Sequence, residues 1–468
     1  MMLFHSFAFF LFFCVTFGVY WTLRAHEYRM AWLVAASIFF YAAWNPWFVL
    51  LIAFTAGVDY LFALNIEHAP TQARRRSLLI ASLVISLSLL AFFKYANFLL
   101  NTSTGLLALF GVHVLPPVLH VVLPLGISFY TFETISYVVD VYRRRLPAER
   151  NPLHYALFIM FFPHLISGPI VRPGQFLPQV RARKHFDWAR LQLGAQLFLR
   201  GLLKKAVLAD RLALIIDPIF QGPVQFSSAT LWFGTVGYAV QAYCDFSGYT
   251  DMALGTAHAL GFKLPQNFNR PYFSASIGEF WRRWHITLSS WVRDYIYIPL
   301  GGNRGARWKT YRNLIITMAA LGFWHGAGWT YIIFGLYHGT LLCLERAFPY
   351  PAWTNRGLPR IARTVWTFTL LCTGLVIFRS PSLASAWLML GRMYRPFAGA
   401  RLSVDAFWIA VTIIGCIFAG HVIGSLKIGR KIEQLVPAPV LGVGLALLFL
   451  LIQLLIPADA KPFIYFQF

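Results

Sequence analysis

From Ser77 to Leu100 the chain runs for 24 residues with a single charged side chain, Lys94. About ten such apolar runs follow one another along the sequence, most near the roughly 20 residues a helix needs to cross about 30 Å of hydrocarbon. In lipid every backbone N–H and C=O must be satisfied within the chain. Continuously apolar runs of this length do so as helices, whereas barrel strands would alternate apolar and polar residues. A soluble fold is excluded on the same grounds, because 58% of residues are hydrophobic and only 12% charged, against roughly a quarter charged in soluble proteins. The expectation is an all-α polytopic membrane protein with about 11 or more transmembrane or re-entrant helices in one domain, 1–468.

The net charge of +23 would suggest nucleic-acid binding in a soluble chain. Here Lys and Arg concentrate in short loops between apolar runs, which suits retention beside anionic cytoplasmic lipid. Nucleic-acid binding would need a basic soluble domain, and the apolar runs leave no room for one. The loop with Arg24, His26 and Arg29 and the clusters Arg74-Arg75-Arg76 and Arg143-Arg144-Arg145 read as cytoplasmic, with the N-terminus outside. That first segment, MMLFHSFAFFLFFCVTFGVYWTLR, lacks a basic n-region and a small-residue cleavage site, so it reads as a retained span. Five cysteines, Cys14, Cys244, Cys343, Cys372 and Cys416, form no CxxC pair and imply neither a disulfide framework nor a zinc site.

Polar residues inside or beside the apolar runs each carry two readings. Glu133 and Asp140 stand at i, i+7, hence on one helical face, and either pair with interfacial arginines or line a cavity. Between Leu157 and Ile170 the run is broken by Pro163, Gly168 and Pro169. Broken helices at membrane depth are buried in protein or line a cavity, so His164 and Ser167 either face a cavity or pack against a neighbour. The stretch to Phe220 holds Lys204-Lys205 and Asp210-Arg211 and is expected to lie partly along the membrane surface. Asp245 and Ser247 follow the run Ala229 to Cys244. Their bland reading is a polar turn capping the next helix. The C-terminal third holds about four more runs, with Arg356, Arg360, Arg363, Lys427, Arg430 and Lys431 in its polar loops.

The richest segment is Pro271 to Gly339. Taken as one helix, Glu279 to Ile298 sets Phe280, Trp284, Leu288, Trp291 and Tyr295 on one face and Arg282, His285, Ser289 and Arg293 on another. That is an interfacial amphipathic helix, in which His285 either anchors at headgroup level or serves chemistry. The loop Gly301-Gly302-Asn303-Arg304-Gly305 could cradle a phosphate or be a plain basic turn; it does not match a P-loop. From Asn313 to His325 is 12 residues, which at about 1.5 Å each puts His325 roughly 18 Å deep, past the bilayer middle. An ionisable residue there is a functional-site hypothesis, with a satisfied structural histidine as its competitor. An imidazole titrating near neutrality can take a proton from a hydroxyl and return one to a leaving group. No GxSxG elbow, HExxH helix or Walker sequence accompanies it, so base-assisted group transfer fits better than a serine or metal mechanism, and no metal is expected.

At WRRWHITLSSWVRDYIYIPLGGNR and WHGAGWTYIIFGLYHG the sequence resembles the membrane-bound O-acyltransferase family, in its bacterial alginate O-acetylation branch. FKYANF, LPLGISFYTFETISYVVDVYR, FFPHLISGPIVRP, DFSGYTDMALG, QNFNRPY and the terminal PFIYFQF extend the likeness over nearly the whole chain, with a motif core at about 92–340. The resemblance implies that His325 is the essential family histidine and His285 the second. It also implies a funnel of helices around a central channel joining cytosol to periplasm. Cys244 stands where an aromatic residue is expected and Gly328 where a larger polar one is common; both bear on tunnel width.

The resulting expectation is a multi-pass enzyme of the bacterial inner membrane. It would move an acyl group, foremost acetyl, from acetyl-CoA or an acyl-carrier protein to an extracytoplasmic polysaccharide or a periplasmic acetyltransferase partner, without a resident cofactor. His325 would be the general base and His285 would orient or polarise the thioester. Arg282, Arg283 and Arg304 would favour the anionic donor, and Trp284, Ser289, Asn303, Trp324, Asp245 and Ser247 complete the candidate binding set. Two alternatives stay open: a flippase or transporter relaying protons through the histidines, and a scaffold that only recruits periplasmic enzymes.

Overall fold

The structure is a computed structural model that describes residues 2–426, 436–457 and 463. Lys427, Arg430, Lys431 and, apart from Phe463, the terminal PFIYFQF lie outside the described residues. Among the described residues the fold is all-helical, with a single isolated β-bridge between Phe226 and Ala400. Among the described residues, four helices are long and apolar enough to cross a membrane: α3 (Trp47–His68), α4 (Gln72–Leu109), α16 (Gly357–Arg379) and, after α17 (Leu383–Met393), α18 (Val404–Ser425). Phe7–Thr22 (α1) and the last described helix, Ala438–Leu455, are apolar but shorter. Exposed Leu87, Phe92 and Leu99 on α4 belong against lipid rather than water.

The chain forms two compact units, Met1–Gly194 with Ala253–Pro265, and Ala195–Met252 with Gln266–Phe468. In the first, α1, α2 (His26–Ala42), α3 and α4 are followed by α5 (Ile127–Tyr142), α6 (Pro152–Met160), α7 (Phe162–Leu165) and α8 (Pro173–Arg181). Asp59 is buried on α3 and accepts from Ser82 and Ser86 of α4 at 2.6 and 3.0 Å, two serines one turn apart that face it together. The i, i+7 carboxylates divide their roles. Asp140 pairs with Arg145 at 3.3 Å, while Glu133 lies 3.2 Å from His164 and accepts from the Val171 N–H at 2.9 Å. His164 is thus packed into the core against Glu133, Phe161 and Phe176. The break between α6 and α7 frees the Phe162 N–H, which donates to Ser37 Oγ at 3.1 Å, as a broken helix in an apolar setting requires.

The second unit corrects one expectation and places the two lysines of another. The run ending at Cys244 does not turn there: α11 extends without interruption from Ser228 to Ala259. Asp245 sits inside it, buried, where it and Asp210 hold Lys205 at 2.8 and 2.7 Å. Lys205 is 2% exposed and Lys204 bonds Asp251 at 2.8 Å, so these lysines face protein rather than solvent. The physical reason is the segment Leu203–Ala209, a π-helix joining α9 (Trp188–Leu202) to α10 (Asp210–Gln221). Its wider turn lets two consecutive lysines both reach acids of α11. Gly201 and Gly248 permit the approach, since a Cβ on Gly201 would collide with the Gly248 carbonyl, the small-residue contact common where membrane helices meet.

Candidate functional site

The site lies wholly in the second unit and begins with a tight helical pair. Helix α14 (Arg307–His325) and α15 (Trp329–Ala347) pack backbone to backbone. A Cβ on Gly322 would strike the Tyr331 carbonyl, and one on Gly335 the Met318 carbonyl. His325 is the last residue of α14, after which Gly326 continues extended. The close packing therefore fixes where the imidazole stands. Its ring is buried against Trp324, Phe378 and Phe334, at centroid distances of 5.0, 5.3 and 6.2 Å.

His285 arrives differently. The expected continuous helix Glu279 to Ile298 is broken into α12 (Ile277–Trp281), α13 (Ile286–Val292) and a π-helical turn Arg293–Tyr297. At the break His285 takes a left-handed backbone, φ 42°, a conformation that a non-glycine residue holds only when its surroundings impose it. The imposing group is the QNFN loop. Asn267 is fully buried; its carbonyl accepts from the Ile286 N–H at 2.9 Å, and its Oδ1 accepts from the Thr287 N–H and hydroxyl at 3.2 and 2.7 Å. Asn269 N–H donates to the Arg283 carbonyl at 2.9 Å. These bonds satisfy the backbone groups that the break releases. They turn His285 into the core, 0% exposed, rather than to headgroup level. Its ring stands edge-on to Phe246 at 4.7 Å and 5.8 Å from Trp324. Both histidines therefore pack on one indole.

Helix α12 is pinned as a shelf before His285. Glu345 of α15 accepts from the Ile277 and Gly278 N–H groups at 2.5 and 3.0 Å, a carboxylate at a helix N-terminus. Glu279 accepts from the Ala275 N–H at 2.8 Å and pairs with Arg283 at 2.6 Å and Arg360 at 3.3 Å. Burial alone would raise its pKa, but the Ala275 N–H and the two guanidinium groups outweigh burial and hold the carboxyl below the usual range.

A cavity of about 50 Å³ opens between these elements, bounded by Tyr238, Ala242 and Phe246 of α11, Tyr272, Phe280, Trp281, Trp284, His325, Phe334, His338, and Leu371, Leu375 and Phe378 of α16. The imidazoles in its wall are those of His325 and His338. Trp284, Trp324, His285 and His325 are thus brought to one place. The other candidates are placed elsewhere. Arg282 and Arg304 are exposed, Arg283 is engaged by Glu279, and the Ser289 hydroxyl donates to the Trp284 carbonyl at 3.2 Å. Asn303 accepts from Tyr297 and, at 2.9 Å, from Arg346. Asp245 is held by Lys205, and Ser247 is buried on α11. His338 was missed by the sequence reading, although it too is an ionisable residue in the apolar run that follows His325, the signal that singled out His325.

The membrane-bound O-acyltransferase family model matches residues 143–354. A protein described as probable alginate O-acetylase AlgI of Azotobacter vinelandii is 44% identical over 389 residues, covering 82% of this chain and 76% of that one. The peptidoglycan O-acetyltransferase of Helicobacter pylori is 39% identical over 415 residues, covering 82% and 78%. The teichoic acid D-alanyltransferase of Bacillus subtilis is 32% identical over 283 residues, covering 54% and 68%. With these relatives, and with helices apolar enough to cross a membrane, the chain is a membrane-embedded O-acyltransferase: it belongs to the membrane-bound O-acyltransferase family.

Proposed function

We propose that this enzyme transfers a short acyl group, acetyl foremost, from a cytosolic thioester to an extracytoplasmic polysaccharide hydroxyl or to a periplasmic acetylation partner, in the bacterial inner membrane. The donor is acetyl-CoA or an acyl-carrier protein, consumed as substrate. In this reading 1–468 act as one catalytic domain of about 11 or more helices, arranged as a funnel around a channel that lets the two substrates arrive from opposite sides.

The observation that carries the proposal is the pairing of His285 and His325 on Trp324 beside a cavity of about 50 Å³. His325 takes the proton of the acceptor hydroxyl as its oxygen attacks the thioester carbonyl. The C–O bond forms, the C–S bond breaks, and the thiolate leaves with the proton that His325 returns. His285 steadies the thioester carbonyl by donating a hydrogen bond where negative charge develops. The small volume of the cavity, about 50 Å³, suits a two-carbon acyl group better than a long chain. Trp281 and Trp284 belong to its aromatic wall and Trp324 packs behind it against both histidines, while Arg282, Arg283 and Arg304 give the donor's phosphates a cationic approach. Ser289 supports this wall through its bond to the Trp284 carbonyl, whereas Asn303, Asp245 and Ser247 stand away from the cavity. The similar proteins are named as an O-acetylase, an O-acetyltransferase and a D-alanyltransferase, which favours chemistry here over transport.

The test in cells is His325→Ala at normal protein level. Polymer acetylation is expected to disappear; retained acetylation would reject the assignment.

A further inference from the structure

We propose that His26, Glu27 and His154 form a binding site for a divalent transition metal, zinc by the chemistry of its donors, in the first unit. None of these residues belongs to the acyl-transfer site. The sequence offered no metal motif, because His26-Glu27 and His154 are separated by more than a hundred residues; folding brings them together where α2 and α6 pack. Their ligand atoms all lie within 4.8 Å of one another, and His154 Nε2 stands 3.6 Å from Glu27 Oε1. A tetrahedral zinc ion with bonds of about 2.0–2.2 Å keeps its donors roughly 3.3–3.5 Å apart. The His154–Glu27 pair is already near that spacing, and the others need to close by at most about 1.5 Å.

The surroundings of the two imidazoles leave one nitrogen of each ring for an ion. His26 Nε2 lies 2.8 Å from the Val180 carbonyl, so this nitrogen carries the proton and Nδ1 keeps its lone pair. That Nδ1 is buried without a hydrogen-bond partner, and so is His154 Nε2. On the far side of the second ring, His154 Nδ1 faces Glu149 Oε1 at 4.0 Å. Glu149 is itself held by Arg181 at 2.6 and 3.0 Å and by the Asn151 N–H at 3.1 Å. The His26 ring is thus oriented by a hydrogen-bonded carbonyl, as outer-shell partners orient metal-binding histidines, and the His154 ring has a carboxylate 4.0 Å behind it. A buried nitrogen without a partner is costly. A proton on His154 would answer only one of the two, whereas one ion satisfies both and uses the Glu27 carboxylate as well. Two imidazoles and one carboxylate suit zinc, with water as a fourth ligand; calcium and magnesium prefer all-oxygen sites. The ion would tie the start of α2 to the first turns of α6.

The test uses the full-length protein in detergent, stripped with a chelator and titrated with zinc and, separately, with cobalt as a spectroscopic probe. One ion per chain and the visible absorption of tetrahedral cobalt are expected. Glu27 is 58% exposed in its side chain, so Glu27→Gln leaves the fold intact; it should weaken affinity by at least about tenfold, the lower end of what losing even an outer-shell partner costs. His26→Ala with His154→Ala should remove binding. Wild-type protein that takes up no zinc, or a Glu27→Gln variant that binds as tightly as wild type, would overturn the proposal. Neither result would bear on acyl transfer.

Discussion

His285 holds a backbone conformation that its own side chain does not favour, and Asn267 is what keeps it there. Asn267→Ala removes the acceptor of two bonds from Thr287 and leaves a buried donor unmatched, which costs about 1–3 kcal/mol. Thermal unfolding of the purified protein checks that loss, and acyl transfer should fall with it because His285 is no longer fixed. Size matters as much as orientation at the cavity wall. Ala242→Leu fills space that the acyl group needs, and since one methylene in an apolar pocket changes rates by roughly 10–200-fold, acetyl transfer should drop at least tenfold in kcat/KM with the protein level unchanged. His325 could be singled out from the sequence because a charge-capable ring interrupts an apolar run at calculable depth. His338 obeys the same logic. What no count along the chain could supply is that Trp281 and Phe334 would lie 5.3 and 4.6 Å from its ring, at the same cavity.

At the scale of elements, the α12 shelf carries a pH dependence. The Glu279 carboxyl is held below its ordinary range, so its contribution is fully present above the unfolded value of about 4.3 and is lost as pH falls through the lower, folded value. Acid unfolding in that window should be less steep in Glu279→Gln, read by fluorescence against pH. The buried Lys205 is a different case. Lys205→Ala leaves Asp210 and Asp245 without their cation, a change that costs about 3–5 kcal/mol for a buried pair and should appear as a large fall in thermal stability. These elements also show where legibility ended. Helices such as α3, α4, α16 and α18 were readable because apolar length alone demands them. The break at His285 was not, because it is imposed by Asn267, many residues upstream. Nor was the continuity of α11 through Asp245, because Lys205, which makes a carboxylate tolerable mid-helix, belongs to another segment.

For the whole molecule, composition settled the solvent and the class of secondary structure, and the ordered motifs from FKYANF to GLYHG pointed to the family that the relatives bear out. Side-chain placement inside the second unit adds what those motifs could not give, a small aromatic cavity with His325 in its wall and His285 beside it. The central claim is that this arrangement performs the transfer itself. It is tested most directly by incubating purified protein with a radiolabelled acetyl thioester and a polysaccharide acceptor. Wild-type protein should label the acceptor, and His325→Ala should do so at least about 10²-fold more slowly, the scale of general-base catalysis. Equal labelling by the two proteins would contradict the account.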